Sequence, residues 1–289
     1  MLYVVATPIG NLGDMSPRAV ETLKSVALIA AEDTRVTMKL TAHFDIHTPL
    51  TSCHQHNEHG KAEQIVARML AEGIDVALVT DAGTPAISDP GTYLVRLCAE
   101  SGIPIAAVPG PTAMASAVSV SGFDFKEFTF YGFLPREKKE LTEKLRSMIG
   151  TEAAVIHESP FRVIKLMETI RDTLPGVLVS ASCDLTKLHE LTLRGTADEV
   201  LNQLYANEKA EKGEYCIVLD LRGVSGETQA APPAELSPEL RLLQLLLTRE
   251  ASDLRDAREK LISAGIRKNE AYAASLKVKE FLEAYQVNQ

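Results

Sequence analysis

Short apolar runs alternate with amphipathic helical patterns along most of this chain, and this alternation is what most limits the folds open to it. Runs of this kind are typical of βαβ units, whose strands form a parallel or mixed sheet covered by helices on both faces. In the first part of the chain the strand-like runs lie at residues 2–7, 26–33, 75–81 and 104–110. The helical patterns lie between them, at residues 17–24, 35–43, 61–71 and 92–100. The sequence therefore predicts an α/β fold.

The same alternation restarts near residue 120, which predicts a second α/β domain. Further along, the chain has a stretch rich in Gly, Pro and small polar residues, a composition typical of linkers. Three amphipathic helical patterns follow it, and their balanced charge favours a small docking domain over a helix-turn-helix reader of nucleic acid. We expect α/β domains at residues 1–118 and 119–222, a linker at residues 223–238 and a helical extension at residues 239–289.

The overall charge argues against a protein that grips nucleic acid over its whole surface. The net charge is −9, so a polyanionic partner would have to be met by a local basic patch. Arg136, Lys138 and Lys139 form one such patch, although such a patch taken alone is better explained as a solvated helix face.

Cysteine usage and apolar content predict a cytoplasmic protein. The four cysteines are scattered without a CxxC pair, a pattern that suits a reducing compartment. The first residues lack the basic region and long apolar core of a signal peptide, so none is expected. Since no run of eighteen apolar residues occurs, we expect no membrane partner.

The loop that follows the apolar run Val76–Val79 is the most informative single segment. It contains Gly83, Pro85 and Gly91 together with two carboxylates, Asp81 and Asp89. In an open α/β sheet, ligands bind at the carboxyl ends of the strands. A rigid turn of small residues at that position predicts the wall of a binding pocket, with an ordinary Gly/Pro turn as the alternative.

Two other strand ends have the same Gly- and Pro-rich character, at residues 5–11 and 108–113. If the strands share one sheet, the three loops can line one cleft. None of them matches a Rossmann fingerprint or a P-loop, so we expect an unusual pocket for a nucleoside-like ligand. The segment Pro111-Thr112-Ala113 opens a helix whose free N–H groups suit a ligand carboxylate, although a well-capped helix start explains the pattern too.

Charged residues follow three other predicted strands, in the segments AEDTR, IHESPFR and CDLTKLHE. Charges at a buried strand end cost free energy unless they are paired or used. A structural pair between Asp33 and Arg35 is about as probable on this basis as a role in substrate binding.

A metal site and a serine hydrolase are not favoured. The HxHxxH spacing of His54, His56 and His59 is not a standard structural zinc pattern, and no metal is predicted. No GxSxG nucleophile elbow occurs in the sequence.

The motifs ATPIGNLGD, AEDTR, HNE, VTDAGTPAISDPG, VPGPTA, FYGFLP, ESPFR, LTKLHE and KGEYCIVL occur in this order along residues 2–222. In this respect the chain resembles the 16S ribosomal RNA cytidine 2′-O-methyltransferases, a family within the tetrapyrrole methylase superfamily. The resemblance implies two α/β domains with S-adenosylmethionine in the cleft between them. It also implies a homodimer, a substrate in 16S ribosomal RNA or the small ribosomal subunit, and no DNA partner.

Carried over motif by motif, the resemblance implies a set of cofactor-binding residues. They are Pro8, Asp81, Gly83, Ala86, Ile87, Ser88, Thr112, Ala113, Glu158 and Ser159.

Methyl transfer to a ribose hydroxyl requires alignment of the acceptor and a group that takes its proton. The candidate bases are Asp33, Glu158 and Lys187, and Arg35 is a candidate clamp for phosphate or substrate. One departure from the family pattern bears on this region. The family usually has Arg-Glu where this chain has Cys183 and Asp184.

Two other functions remain open at this stage. A tetrapyrrole carbon methyltransferase would share the cofactor loops but would not require AEDTR or a helical tail. A non-catalytic RNA- or protein-binding module would have kept the fold without binding the cofactor.

Overall fold

The computed structural model describes residues 1–224, 237–248 and 250–286. Most of the predicted linker, residues 225–236, lies outside the described residues. The chain consists of two compact units, residues 1–226 and residues 227–289. The predicted boundary at residue 118 falls inside a helix of the first unit, so the division there remains a prediction.

The first sheet has five parallel strands in the order β3-β2-β4-β1-β5. The strands are β1 (Leu2–Val5), β2 (Leu28–Ala31), β3 (Leu50–Ser52), β4 (Val76–Val79) and β5 (Ile105–Val108). The helices are α1 (Pro17–Ser25), α2 (Thr34–His43), α3 (Glu58–Glu72), α4 (Thr92–Glu100) and α5 (Ala113–Ser121). β2 and β4 are buried along their whole length, as continuous apolar runs in a parallel sheet require.

This strand order places the loops that follow β1, β4 and β5 next to one another. β4, β1 and β5 are neighbours in the sheet, and parallel strands end at the same edge. The three Gly- and Pro-rich loops that follow them must therefore lie side by side. β2 flanks β4 on its other side, so the AEDTR segment lies beside the loop that follows β4.

The second sheet is mixed, with the order β6-β7-β10-β8-β9. Its first pair is parallel and the other three are antiparallel. The strands are β6 (Thr129–Phe133), β7 (Ala153–Glu158), β8 (Leu178–Cys183), β9 (Leu191–Thr196) and β10 (Tyr215–Asp220). Three helices accompany them: α6 (Lys138–Ser147), α7 (Val163–Thr173) and α8 (Ala197–Ala206).

The two sheets are joined through α5. One face of the second sheet packs on α6, α7 and α8 in an apolar cluster that includes Leu145, Ile156 and Met167. The other face packs on α5, where Ala117 contacts Val155 and the apolar residues of β10. The helix that follows the first sheet therefore covers the second sheet, and the loop at the start of this helix lies between the two.

The C-terminal unit contains three helices: α9 (Pro238–Leu247), α10 (Leu254–Ser263) and α11 (Lys268–Gln286). They share an apolar core that includes Leu242, Leu261 and Val278. Ser237 caps α9, and Asp253 caps α10. Across the described ranges, no helix has the length and apolar character needed to cross a bilayer.

Candidate active site

The three Gly- and Pro-rich loops meet through backbone contacts. The N–H of Thr7 donates to the carbonyl of Gly83 at 2.8 Å, and the N–H of Gly83 donates back at 3.0 Å. The Thr7 hydroxyl also donates to the carbonyl of Thr80 at 3.1 Å. In the third loop, a Cβ on Gly110 would lie 3.0 Å from the Cβ of Ala6, so the loops approach closely because residue 110 is glycine.

These loops form one wall of a cavity of about 410 Å³, and the second sheet forms the other. From the first sheet, the cavity is lined by Ile9, Ala82, Gly83, Thr84, Ile87, Ser88, Asp89, Thr112, Ala113 and Met114. From the second sheet, it is lined by Phe130, Phe133, His157, Glu158, Ser159, Pro160, Leu185, Glu214, Tyr215 and Cys216. A cavity of this size suits a small organic ligand.

Most of the cofactor-binding residues implied by the resemblance line this cavity. Those that line the cavity are Gly83, Ile87, Ser88, Thr112, Ala113, Glu158 and Ser159. The other three, Pro8, Asp81 and Ala86, do not line it but are next to residues that do.

The loop after β4 is held in a strained, anchored conformation. Ala86 has a φ of 62°, a region that costs free energy for a residue with a Cβ and is often found at ligand sites. At the far end of the loop, the Glu58 carboxylate accepts hydrogen bonds from the N–H groups of Gly91 (3.0 Å) and Tyr93 (2.8 Å). Glu58, the first residue of α3, thus ties the end of the loop and the start of α4 to α3. The motif HNE contains this residue, but the sequence did not indicate its contact.

Glu158, at the end of β7, is the candidate base that lines the cavity. Its side chain is fully buried, and one oxygen accepts a hydrogen bond from the N–H of Ser159 at 2.7 Å. The other oxygen, Oε2, lies 3.2 Å from a guanidinium nitrogen of Arg162. Among the described residues, no donor has hydrogen-bond geometry to Oε2. Burial raises the pKa of Glu158, and the Ser159 N–H and the charges of Arg162 and Arg136 oppose this rise.

His157, from the segment IHESPFR, also lines the cavity, although the sequence did not indicate it as a site residue. Its ring contacts those of Phe130 and Phe133, with centroids 5.0 and 5.8 Å apart. Burial lowers the pKa of His157, an effect that the charge of Glu214 partly offsets, so the imidazole is neutral near pH 7. Its buried Nε2 has no hydrogen-bond partner in the described part of the chain.

Asp33 and Arg35 form a pair outside this cavity. Asp33 caps α2 by accepting from the N–H of Arg35 at 2.8 Å, and it also binds the guanidinium at 2.6 Å. Its own N–H donates to a carboxylate oxygen of Asp81 at 3.1 Å. The hydrogen bonds from Arg35 lower the pKa of Asp33 to about 2. The Arg35 side chain is 83% exposed.

Lys187 is held by two carboxylates near the cavity. Its Nζ lies 2.7 Å from Asp184 and 3.0 Å from Glu214, and Glu214 lines the cavity. Burial disfavours the charged amine, but the hydrogen bonds to the two carboxylates outweigh this effect and raise the pKa of Lys187. Asp184, which departs from the family pattern, therefore neutralises this lysine. Cys183 is buried, and burial raises the pKa of its thiol.

A carboxylate cluster lies at the edge of the cavity. Glu32 accepts from the Thr80 hydroxyl at 2.5 Å, and Asp89 lines the cavity close by. Burial, together with the charges of Glu32 and Asp81, raises the pKa of Asp89 to about 6. Within the described ranges no group of three metal-ligating side chains is placed to hold an ion.

The polar groups of the cavity fit a nucleoside that carries an amino-acid tail. Thr112, which precedes α5, makes no side-chain cap bond, so the first N–H groups of α5 are available to a carboxylate. The unpartnered Nε2 of His157 offers a further polar contact. Burial raises the pKa of the Cys216 thiol to about 12, so this cavity residue stays protonated and is not a nucleophile.

A second, open cavity lies beside the first. Its volume is about 660 Å³, and it shares Phe133, Glu158 and Ser159 with the first cavity. Arg136 and Arg162 also line it. Arg136 precedes α6, which begins at Lys138.

The fold is that of the tetrapyrrole methylases. Residues 1–201 match the family model of the tetrapyrrole (corrin/porphyrin) methylases, and the chain belongs to this family.

Among its relatives are several curated proteins named ribosomal RNA small subunit methyltransferase I. The relative from Synechocystis sp. is 43% identical over 83% of this chain and 84% of its own length. The relative from Pseudomonas aeruginosa is 39% identical over 95% of this chain and 96% of its own length.

Solved structures share the fold at low sequence identity. A cobalt precorrin-4 methyltransferase covers 78% of this chain and 95% of its own, with a TM-score of 0.55 and 17% identity. The uroporphyrin-III C-methyltransferase of Thermus thermophilus, solved with S-adenosylhomocysteine, covers 76% of this chain and 96% of its own, with a TM-score of 0.51 and 15% identity. The predicted α/β architecture with a C-terminal helical extension is confirmed.

Proposed function

We propose that this protein is an S-adenosylmethionine-dependent methyltransferase that acts on the ribose 2′-hydroxyl of a cytidine in 16S ribosomal RNA. The observation that carries the proposal is the position of Glu158. This buried carboxylate lines both the first cavity and the more open one beside it. A cofactor in the first cavity and an acceptor in the second would meet at this residue. Relatives about 40% identical that are named for the small ribosomal subunit support an RNA acceptor.

The loops after β1, β4 and β5 would hold the cofactor. Gly83 and Ser88 would contact it from one loop, and the start of α5 would bind its carboxylate. S-adenosylmethionine, when bound, supplies a methyl group carried on a positively charged sulfur. The rigid, anchored loops contribute to the reaction by fixing where that methyl group lies relative to the acceptor.

Glu158 is our candidate for the group that takes the proton of the ribose hydroxyl. A hydroxyl is a weak nucleophile at neutral pH, so a positioned base accelerates its reaction. Burial raises the pKa of Glu158, which makes its ionised form a stronger base than an exposed carboxylate. Arg162 lies 3.2 Å from Oε2 and favours the ionised state.

The other candidates suit the role of base less well. A pKa of about 2 makes Asp33 a weak base, and the raised pKa of Lys187 keeps its amine protonated. Arg35 stays our candidate for a contact with phosphate, since its exposed guanidinium can reach a polyanion at the surface.

The proposal extends to the compartment, the oligomeric state and the way the enzyme recognises its substrate. We expect a cytoplasmic homodimer that recognises a partly assembled small subunit through a local cleft. The net charge of −9 makes broad attraction to RNA unfavourable.

The test is methyl transfer from labelled S-adenosylmethionine to small ribosomal subunits from a strain that lacks this gene, followed by nucleoside analysis. The expected product is 2′-O-methylcytidine at one position. A protein that binds the cofactor but methylates only uroporphyrinogen would instead be a tetrapyrrole carbon methyltransferase. A protein that binds no S-adenosylmethionine in a calorimetric titration would be a non-catalytic module.

A further inference from the structure

The second cavity is a groove that extends from the site rather than a separate pocket. It shares the buried carboxylate of Glu158 with the first cavity, and its walls are formed by the ends of β6 and β7, the residues that follow them and Glu140 of α6. The Oε2 atom of Glu158 is buried and lacks a hydrogen-bond donor among the described residues. The residue that the two cavities share therefore carries an acceptor that the described residues leave unsatisfied.

A bulge in β6 directs an aromatic ring into the mouth of this groove. Phe130 pairs with Val155 and Gly132 with Ile156, so Tyr131 is an extra residue in the strand. Residues three apart on a regular strand point to opposite faces, but the extra residue puts Phe130 and Phe133 on the same face. Gly132 allows this with a φ of 61°.

The ring of Phe133 is consequently available to a ligand. It is 63% exposed and makes a T-shaped contact with the ring of His157, with centroids 5.8 Å apart. An exposed aromatic ring at the mouth of a groove is the usual platform for an unstacked nucleobase.

The two arginines of the groove have different surroundings. Arg162 donates to the carbonyl oxygens of Leu134 and Pro135 at 3.3 and 3.1 Å and lies beside Glu158, so its charge is already used. Arg136 is exposed and has no hydrogen bond or ion pair among the described residues. Its guanidinium is placed to bind an anionic group of a ligand in the groove.

We propose that this groove holds the acceptor nucleotide of single-stranded RNA, with its base on Phe133, a phosphate on Arg136 and its ribose hydroxyl toward Glu158. The inference rests on the proposed function and identifies the residues that bind the acceptor. A tetrapyrrole, which carries several carboxylates, would require more available cations than Arg136 supplies among the described residues that line this groove.

The experiment measures the KM for small ribosomal subunits, and the affinity for S-adenosylmethionine by calorimetry, in full-length variants. Phe133→Ala is compared with Phe133→Trp, which keeps an aromatic platform. Phe128→Ala is the control for loss of an exposed phenylalanine, because Phe128 is 41% exposed and lines neither cavity. Arg136→Ala is compared with Arg146→Ala, which removes an exposed charge from the last turn of α6, outside both cavities.

Phe133→Ala is expected to raise the KM for the subunit by about 10-fold or more, as loss of one stacked base does, whereas Phe133→Trp stays within about threefold of wild type. Arg136→Ala is expected to raise the same KM and to lower the slope of log KM against log salt by about one, the value for one phosphate contact. The affinity of Arg136→Ala for S-adenosylmethionine should match that of the wild-type enzyme. Both control variants should have wild-type values of KM and of this affinity.

Wild-type KM values in Phe133→Ala and Arg136→Ala, with an active wild-type enzyme, would overturn the groove assignment and leave the proposed function intact. An equal loss of cofactor affinity in Arg136→Ala would also overturn it. Failure of the wild-type enzyme to methylate the subunit at all would instead overturn the proposed function.

Discussion

Two strand ends in this protein carry a carboxylate followed by an arginine, and they differ in their surroundings. After β2, Asp33 and Arg35 form a bidentate pair at the surface, and the pKa of Asp33 falls to about 2. After β7, Glu158 is buried beside Arg162, and burial raises its pKa. The sequence segments look alike, but one pair caps a helix in solvent and the other has a carboxylate oxygen without a hydrogen bond.

The difference shows how burial determines what an ion pair can do. An exposed pair is screened by water and contributes little beyond local structure. A buried carboxylate with incomplete hydrogen bonding stays reactive, since its ionised form gains stabilisation by accepting a proton or a hydrogen bond. We therefore expect chemistry at Glu158 and helix capping at Asp33.

The largest expected effect is on turnover in Glu158→Gln. Loss of a general base typically costs about 10²–10⁴-fold in rate, so single-turnover methyl transfer should fall by at least about 100-fold. Affinity for S-adenosylmethionine should change far less. Asp33→Asn is the matched comparison and should lose less than about 10-fold. Equal losses of rate in the two variants would contradict the assignment of the base to Glu158 rather than Asp33.

The second expected effect is on stability and concerns the arginines. Arg162→Ala leaves a buried carboxylate without a cation and two backbone carbonyls without a donor. Because Arg162 is partly exposed, we expect a loss of about 2–4 kcal/mol in the free energy of unfolding. Arg35→Ala should leave the urea midpoint nearly unchanged, because its pair is solvated. An unchanged urea midpoint for Arg162→Ala would show that the buried pair of Glu158 and Arg162 does not contribute to the stability of the fold.

A third carboxylate, Asp89, extends the comparison because no arginine neutralises it. Its pKa rises from 3.8 to about 6, so its ionised form opposes folding. This cost is absent below about pH 3 and fully present above about pH 7. Asp89→Asn should therefore stabilise the protein by about 1–3 kcal/mol at pH 8.

The check for Asp89→Asn is urea unfolding of both proteins at pH 4 and pH 8. The gain should be much smaller at pH 4, where the carboxyl is protonated in the folded chain and about half ionised in the unfolded chain. A gain of equal size at both pH values would mean that charge is not its cause.

The smallest expected effect tests the capping role of Asp33. Asp33→Ala removes the acceptor at the start of α2 and should lower the melting temperature by about 2–4 °C. Asp33→Ser keeps an oxygen at the cap and should lose less. Equal melting temperatures for the two variants would argue against capping as the function of this side chain.

Much of the fold could be predicted from the sequence because its signals are local. Continuous apolar runs such as Val76–Val79 indicated buried parallel strands, and the Gly- and Pro-rich loops after them indicated a ligand edge. Their convergence depends only on β4, β1 and β5 being neighbours, a common arrangement in α/β sheets.

The features that local patterns missed depend on tertiary contacts. β9 was not predicted, because its residues, LTLRGT, include an arginine and a glycine and lie on a half-exposed edge strand. The bulge at Tyr131 and the exposed ring of Phe133 depend on the register between β6 and β7. The different surroundings of Asp33 and Glu158 depend on what packs over each strand end.

The most direct test of the account is a crystal structure of the protein with S-adenosylhomocysteine. The account predicts the nucleoside under the loops after β1, β4 and β5, with its sulfur on the side of the cavity where Glu158 meets the open groove. A ligand bound elsewhere, or one whose sulfur faces away from Glu158, would contradict it.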